Sequence, residues 1–104
     1  MISVNISKES SKIKKITING HAMYDDYGKD IVCSGVSSVV ITTVNAILLF
    51  DKKFISYENG KNKFEINVNV NNEITDKLLE NMLNMLKDIE SDYPKNIKIR
   101  KENL

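Results

Sequence analysis

The single cysteine and the single histidine of this sequence, Cys33 and His21, are twelve positions apart in a chain of 104 residues. A cysteine reacts as its thiolate, and a neutral imidazole can accept the thiol proton. The two residues therefore make a minimal nucleophile and general base for attack on a carbonyl, provided that the fold brings them within hydrogen-bonding distance. The alternative is that Cys33 is an ordinary small buried side chain and His21 an ordinary residue at the end of a strand.

The sequence around Cys33 predicts that this residue lies in the first turn of a helix. Asp30 is a favourable N-cap residue, which makes Ile31 the first helical position. The unpaired amide groups and the positive dipole end of such a turn lower the pKa of a thiol below its ordinary value of ~8.5. The amide groups around Cys33 and Ser34 would also stabilise an oxyanion on the attacked carbonyl. Gly35 would let the backbone of a substrate come close.

Alternation of apolar and polar residues predicts two β-hairpins and one further strand. The first hairpin has its turn at Lys8–Lys12. The second hairpin is centred on Asn59-Gly60, a dipeptide that favours tight turns. Pro94 ends the last helix and is followed by the further strand. The predicted strand segments are residues 2–6, 16–18, 54–57, 64–70 and 97–99.

Two helices are predicted between these strands. Residues 74–92 have apolar side chains at helical spacing, and Met82 and Met85 among them are expected to fill the core. Ile31–Phe50 is a run of twenty uncharged residues, long enough to cross a bilayer. Six serine, threonine or asparagine residues are distributed through it, which favours a buried helix and no membrane span.

These elements predict an α+β fold in the order β-β-α-β-β-α-β. Residues 1–104 would form a single domain of two layers, a mostly antiparallel sheet with two helices packed on one face. The uncharged helix is apolar on more than one side, so it would pack on the sheet and also against the other helix or a second subunit.

Composition and charge narrow the class of protein. The net charge is +1, and the small basic clusters are not interleaved with aromatic residues, so we expect no direct contact with nucleic acid. One cysteine excludes an internal disulfide and favours the reducing cytoplasm, and no signal peptide is evident at the N-terminus. One cysteine and one histidine cannot complete a closed zinc site, and no phosphate-binding glycine loop is present. We therefore expect no metal and no cofactor.

Two segments of the chain form a longer pattern around the cysteine. They are GHA at residues 20–22 and YGKDIVCSGVS at residues 27–37, joined by a short loop. This pattern resembles that of the ribosomal-processing cysteine protease family, Prp, and the length and the order of elements are also similar from end to end. One departure is Met23, which stands where the family commonly has a glycine.

The resemblance implies a cytoplasmic bacterial endopeptidase that acts as a homodimer. Its substrate would be the precursor of large-subunit ribosomal protein twenty-seven, from which it removes an N-terminal extension by cutting after an aromatic residue. Cys33 would be the nucleophile and His21 the general base that later protonates the leaving amine. Asp30 would cap the helix, orient His21, or do both. Ser37 would bond back to the carbonyl of Cys33, four residues earlier on the same helix face.

The sequence leaves open the role of the loop before Cys33 and two alternative functions. The loop Met23–Lys29 would act as a lid with Gly28 as its loosest point, and Tyr24 or Tyr27 would line a pocket for an aromatic side chain or simply pack at the surface. A non-catalytic module that binds the ribosome or an assembly intermediate, with an incidental thiol, is the alternative from another class. A thiol hydrolase or transferase acting on a small acyl substrate would use the same cysteine and histidine.

Overall fold

The computed structural model describes residues 1–20 and 31–104. It contains five strands and two helices in the predicted order. The elements are β1 (Ile2–Glu9), β2 (Lys12–Asn19), α1 (Ile31–Phe50), β3 (Ile55–Asn59), β4 (Lys63–Val68), α2 (Glu73–Asp92) and β5 (Ile97–Asn103).

The five strands form one mixed sheet in the order β3-β4-β2-β1-β5. Three neighbouring pairs are antiparallel, and β1 pairs with β5 in parallel. The chain passes from β4 to β5 by way of α2, and such a crossover makes β5 run in the same direction as β4. Because β4 is antiparallel to β2 and β2 is antiparallel to β1, β5 is also parallel to β1. The predicted α+β fold with a mostly antiparallel sheet is therefore confirmed.

One face of the sheet is apolar and the other is polar. Val4 lies opposite Ile18, and Ile16 lies opposite Ile66, so the apolar side chains of adjacent strands are aligned. The reverse face carries residues such as Thr17 and Glu65, paired across β2 and β4. Side chains of both helices join the apolar face in a single core, which makes two layers. The fully buried core includes Ile6, Ile16, Ile18, Ile47, Ile66, Leu79, Met82, Leu86 and Ile97.

Helix α2 begins at the N-cap Asn72, whose side-chain oxygen accepts a hydrogen bond from the Thr75 amide at 2.9 Å. The predicted apolar stripe is buried, with Met82 inside it. The expectation that Met85 fills the core is wrong, because this side chain is 45% exposed. One residue step turns a helix by about 100°, so Met85 points away from the stripe that contains its neighbour Leu86.

Helix α1 packs against both the sheet and α2. It has the length and the apolarity of a membrane span, with twenty residues and a mean hydropathy of 1.9. Its Val36, Val40 and Ile47 are buried in the same core as the strands, and it also contacts α2. The place of α1 in the core accounts for its uncharged sequence. Leu49 and Phe50 are nevertheless exposed at its C-terminal end.

The two hairpin turns differ in how closely they follow the sequence prediction. Ser10 and Ser11 connect β1 to β2 with φ angles of 52° and 67°, the backbone of a tight turn within the predicted range Lys8–Lys12. In the second hairpin the Gly60 amide donates to the Lys63 carbonyl at 2.8 Å. The turn is therefore formed by residues 61–62, and Asn59 still belongs to β3. The prediction of the hairpin is confirmed, but its turn lies two residues after the Asn59-Gly60 dipeptide.

Candidate active site

The chain leaves the sheet at Gly20, directly after β2. This residue has a φ of +104°, in the region that favours glycine. A Cβ atom on Gly20 would lie 2.0 Å from the carbonyl oxygen of Met1, which no real side chain can occupy. The first residue of the GHA segment is therefore required by the backbone itself. Its conformation and its missing side chain let the backbone of Met1 lie close against the end of β2.

Cys33 is the third residue of α1 and lies in its first turn, where the N-terminal amide groups of a helix have no partners within the helix. Its side chain is 2% exposed and belongs to the core together with Val32 and Val36. Cys33 thus has the helix position expected of a reactive nucleophile, and it is also as buried as an ordinary small apolar side chain.

The surroundings of Cys33 on α1 are uncharged. The first turn of α1, as described from Ile31 on, contains no acidic residue, and the last turn of α1 contains no basic residue. No charge on α1 itself therefore offsets the helix dipole at the thiol. Across residues 1–20 and 31–104, no three His, Cys, Asp or Glu side chains converge as a metal site would require.

The two serines singled out from the sequence lie close to Cys33 on α1. Ser37 is 6% exposed and follows Cys33 by one helical turn on the buried side. Ser34 is half-buried. Both side chains line a depression of about 300 Å³ along α1, together with Ser38, Ile41 and Thr42. Four of these five residues carry hydroxyl groups, which can hydrogen-bond to the amide groups of an extended peptide.

Sequence reasoning missed Ser38, Ile41 and Thr42 as lining residues. A signal was available, because these residues follow Ser34 at intervals of four, seven and eight positions, the spacing of one helix face. The signal was hidden by the lack of charge on every side of this helix, which makes the exposed face hard to distinguish from the buried one.

Gly35 does not line this depression. The nearest described atom to a Cβ placed there would be Cδ1 of Ile89, on α2, at 3.5 Å. The missing side chain of Gly35 thus faces the neighbouring helix, and the expectation that it makes room for a substrate backbone is not supported.

Five of the predicted site residues fall outside the described part of the chain. The loop Met23–Lys29, predicted as a lid, lies there as well, and so does the N-cap assignment at its end. The pairing of the imidazole with the Cys33 thiol therefore stays a prediction. The residues concerned are His21, Tyr24, Tyr27, Gly28 and Asp30.

Comparison with known proteins adds evidence of a different kind. Residues 1–98 match the family described as cysteine protease Prp. The ribosomal processing cysteine protease Prp of Staphylococcus aureus is 37% identical over 103 residues, which cover 95% of this chain and 97% of that protein. The protein of the same name from Bacillus subtilis is 33% identical over 107 residues, covering 95% and 96%.

A solved structure agrees with these relatives. The crystal structure of an essential ribosomal processing protease Prp from S. aureus, in complex with a covalently linked product peptide, superimposes with a TM-score of 0.83 at 35% identity. The match covers 98% of this chain and 100% of that one. The fold and the matches define the molecule as a cysteine peptidase. Within that class, the chain belongs to the cysteine protease Prp family.

Proposed function

We propose that this chain is a site-specific endopeptidase of ribosomal protein processing, with Cys33 as its nucleophile. The observation that carries the proposal is the number of cysteines. A cysteine peptidase needs a reactive cysteine, and Cys33 is the single cysteine of this chain. That residue lies in the first turn of α1, where the amide groups favour a thiolate. The substrate that we propose is the precursor of large-subunit ribosomal protein twenty-seven, from which the enzyme removes an N-terminal extension. The names of the relatives support a ribosomal substrate.

In the proposed reaction His21 acts as the general base. The Cys33 sulfur attacks the scissile carbonyl carbon, and amide groups around Cys33 and Ser34 stabilise the oxyanion. The carbon–nitrogen bond breaks as the His21 imidazolium protonates the leaving amine, which belongs to the mature ribosomal protein. A water molecule deprotonated by His21 then attacks the thioester and releases the extension as a carboxylic acid. The covalently linked product peptide in the S. aureus complex supports a mechanism with a peptide–enzyme bond.

Burial of the nucleophile sets a further requirement for this reaction. Because Cys33 is 2% exposed, a substrate carbonyl reaches its sulfur only if the structure opens at the N-terminal end of α1. The depression lined by Ser34 and Ser38 begins one residue from Cys33 and is our candidate for the path of the substrate backbone. We propose that the loop Met23–Lys29 is the segment that opens, with Gly28 as its loosest point. Tyr24 or Tyr27 would then contact the aromatic residue before the cleaved bond.

The decisive experiment is incubation with the ribosomal precursor from the same cell, followed by intact-mass measurement. We expect the wild-type protein to shorten the precursor by one defined N-terminal segment, and Cys33→Ala and His21→Ala to leave it intact. Ser7→Ala, on the polar face of the sheet, is the matched control and should cleave at the wild-type rate. Cleavage by Cys33→Ala would refute the assignment of the nucleophile. A wild-type protein that hydrolyses small thioesters but no peptide would refute the assignment of the substrate class.

We further propose that the enzyme is a homodimer. The support is an exposed, mostly apolar surface at the C-terminal end of α1, where Leu49 is 88% exposed and Tyr57 of β3 is half exposed. These residues line one mostly apolar groove with Leu48 and Ile55, and Lys52 is its one charged lining residue. Light scattering at micromolar protein should give twice the monomer mass, and Leu49→Asp should reduce it to the monomer mass. A wild-type monomer under these conditions would contradict the proposal.

We propose the cytoplasm as the location of the protein. The proposed substrate is a ribosomal protein, and a free thiol stays reduced in that compartment. Fractionation of cells, followed by mass measurement of the Cys33-containing peptide, should find the protein with its thiol reduced in the cytoplasmic fraction. Recovery in an extracytoplasmic fraction would contradict this location.

A further inference from the structure

A second groove lies on the molecule, formed without any residue of α1. It has a volume of about 290 Å³ and lies between one side of α2 and the turn that joins β1 to β2. The strands contribute Lys8, Lys12 and Lys101, and α2 contributes Lys87. Four lysines thus line one groove, which we call the lysine groove. The remaining lining residues are Ser11, Ile13, Asp76, Glu80 and Leu83.

The charges in the lysine groove are not balanced. Lys12 forms an ion pair with Asp76 at 3.5 Å. In the part of the chain that the structure describes, no carboxylate forms an ion pair with Lys8, Lys87 or Lys101. Glu80 is the one other acidic residue among those that line the groove. Three ammonium groups from three different elements therefore share one cavity with a net positive charge.

Lys101 lies close enough to Lys87 and Lys8 to be repelled by both. The charge of Lys87, followed by that of Lys8, lowers the pKa of Lys101 from its ordinary value of 10.5. Protonated amines offer one another no acceptor, so their proximity is unfavourable without a third group between them. An anion placed among the three lysines would convert the repulsion into charge-assisted hydrogen bonds.

We propose that the lysine groove binds a compact phosphate ligand, of the size of pyrophosphate, through the ammonium groups of Lys8, Lys87 and Lys101. Lysine is a common phosphate ligand because its ammonium is a compact charge with three donors. Pyrophosphate carries several negative charges in a volume that such a groove accepts. An extended polyanion fits less well, because Asp76 and Glu80 line the same groove and the whole chain has a net charge of only +1.

The position of the groove distinguishes this site from the peptidase site. Lys8 and Lys101 lie on the helix side of the sheet, in register with buried residues of the same strands. None of the lining residues belongs to α1 or lines the depression beside Cys33. A ligand there would tie together β1, β5 and α2. Its binding should therefore be measurable without any peptide substrate, and the proposal does not depend on the identity of the ribosomal substrate.

The test is calorimetric titration of the full chain with sodium pyrophosphate, with ATP and with a twelve-nucleotide single-stranded RNA, all at one ionic strength. The test variant is Lys87→Gln/Lys101→Gln. The matched control is Lys98→Gln/Arg100→Gln. It also removes two positive charges, but both lie on β5 and on the opposite, polar face of the sheet. Because each lost charge-assisted bond weakens binding by about tenfold or more, we expect the test variant to bind pyrophosphate at least ~10-fold more weakly. The control should bind within about twofold of wild type.

Thermal unfolding gives an independent measurement. Saturating pyrophosphate should raise the Tm of the wild type and the control by several degrees, and should leave the test variant almost unchanged. Without ligand, the test variant should unfold at the same Tm as wild type or higher, because it has lost only repulsive contacts. A lower Tm of the free variant would contradict the proposed repulsion.

The comparison of ligands defines what the site recognises. Equal affinity for pyrophosphate and ATP would assign the site to phosphate groups alone, and tighter ATP binding would assign it to a nucleotide. Tighter binding of the RNA than of either compound would overturn the compact ligand. Absence of pyrophosphate and ATP binding by the wild type, or equal weakening in both double variants, would overturn the proposal.

Discussion

Two features of Cys33 oppose each other. Apolar surroundings favour the neutral thiol, whereas the first turn of a helix favours the thiolate. Cys33 is buried in the core and also lies in the first turn of α1. Which influence dominates decides whether the protein holds its nucleophile ready for attack or only after substrate binding.

Alkylation of Cys33 by iodoacetamide should measure this balance. We expect the rate to follow an apparent thiol pKa below the ordinary ~8.5, and His21→Ala to raise it, because the imidazolium stabilises the thiolate. The overall rate should remain below that of the unfolded chain, since the side chain is 2% exposed. Lys52→Gln, at the other end of α1, is the control and should leave the profile unchanged. An apparent pKa near 8.5 that His21→Ala does not move would remove the physical basis of an activated nucleophile.

Gly20 is the residue whose replacement should damage the fold most directly. Gly20→Ala places a Cβ against the Met1 carbonyl oxygen at a φ of +104°, so the free energy of unfolding should fall by at least about 2 kcal/mol. Thermal and urea unfolding provide the measurement.

The control for this change is Gly35→Ala. Its Cβ would make an ordinary contact with Ile89 at 3.5 Å and would improve helix propensity. We expect a gain of up to about 1 kcal/mol with unchanged peptidase activity. A Gly20→Ala protein as stable as wild type would show that Met1 and Gly20 are not in contact.

These residues also show how far the sequence alone leads. The helix position of Cys33 could be predicted, because residues around it have local preferences that no distant contact overrides. Its burial could not, since this depends on the sheet beneath it. At Gly35 the sequence suggests room for a substrate, whereas the missing side chain faces Ile89 on α2, a contact between distant segments that no local pattern reveals. The exposure of Met85 could not be predicted either, because apolar spacing alone does not show where the buried stripe of α2 ends.

The two edge strands of the sheet are protected differently. At β5 the outward-facing amide of Ile99 donates to a carboxylate oxygen of Glu90, on α2, at 2.8 Å. An unpaired edge amide is a starting point for pairing with another chain, and the Glu90 side chain occupies it. The β3 edge has four exposed residues out of five and borders the apolar groove of the proposed dimer. Association through β3 is therefore easier than association through β5.

Glu90→Ala should lower the free energy of unfolding by about 1–2 kcal/mol, because a hydrogen bond to a charged group is lost at a partly buried amide. It should also increase aggregation on heating, as measured by light scattering, because the β5 edge becomes available. Asp88→Ala, an exposed acidic residue of the same helix, is the matched control and should change neither quantity appreciably. Equal behaviour of the two variants would mean that Glu90 does not protect the edge.

At the level of elements, the order along the chain was predictable and the pairing of distant strands was not. Each hairpin has a local signal in its alternation and turn. The parallel pairing of Ile2 with Ile97 joins residues from opposite ends of the sequence, and no local pattern specifies it. The turn does not fall on Asn59-Gly60, because the pairing register with β4, and not the preference of the dipeptide, decides where β3 ends.

At the scale of the whole molecule, the described residues include an acid-sensitive charge cluster on the polar face of the sheet. Glu65 accepts a hydrogen bond from Asn67 at 3.2 Å and lies 3.4 Å from Lys63 and 3.9 Å from Lys15. The bond from Asn67, followed by the interactions with these lysines, lowers the pKa of Glu65 from its ordinary value of 4.5. Its folded pKa is below the unfolded one. The contribution to stability is therefore present above pH 4.5 and is lost as the pH falls through the lower, folded value.

We expect the free energy of unfolding of the wild type to decrease more steeply below pH 4.5 than that of Glu65→Gln, which has no carboxylate to titrate at this position. Urea unfolding at a series of pH values between about 3 and 7 measures the difference. Glu102→Gln is the control, because no ion pair or hydrogen bond joins its side chain to another described residue. Parallel acid profiles for wild type and Glu65→Gln would exclude the cluster as a source of the pH dependence.

The place of β1 between β2 and β5 has a consequence for biosynthesis. A ribosome produces β1 first among the described strands and β5 last. In a nascent chain, the edge of β1 that pairs with β5 therefore stays unpaired until Ile97–Asn103 has left the exit tunnel, even if the other strands have already folded. We infer that the sheet under the Cys33 thiol closes only after translation of that segment. A chain from which Ile97–Asn103 is missing therefore lacks part of the sheet on which its cysteine is packed.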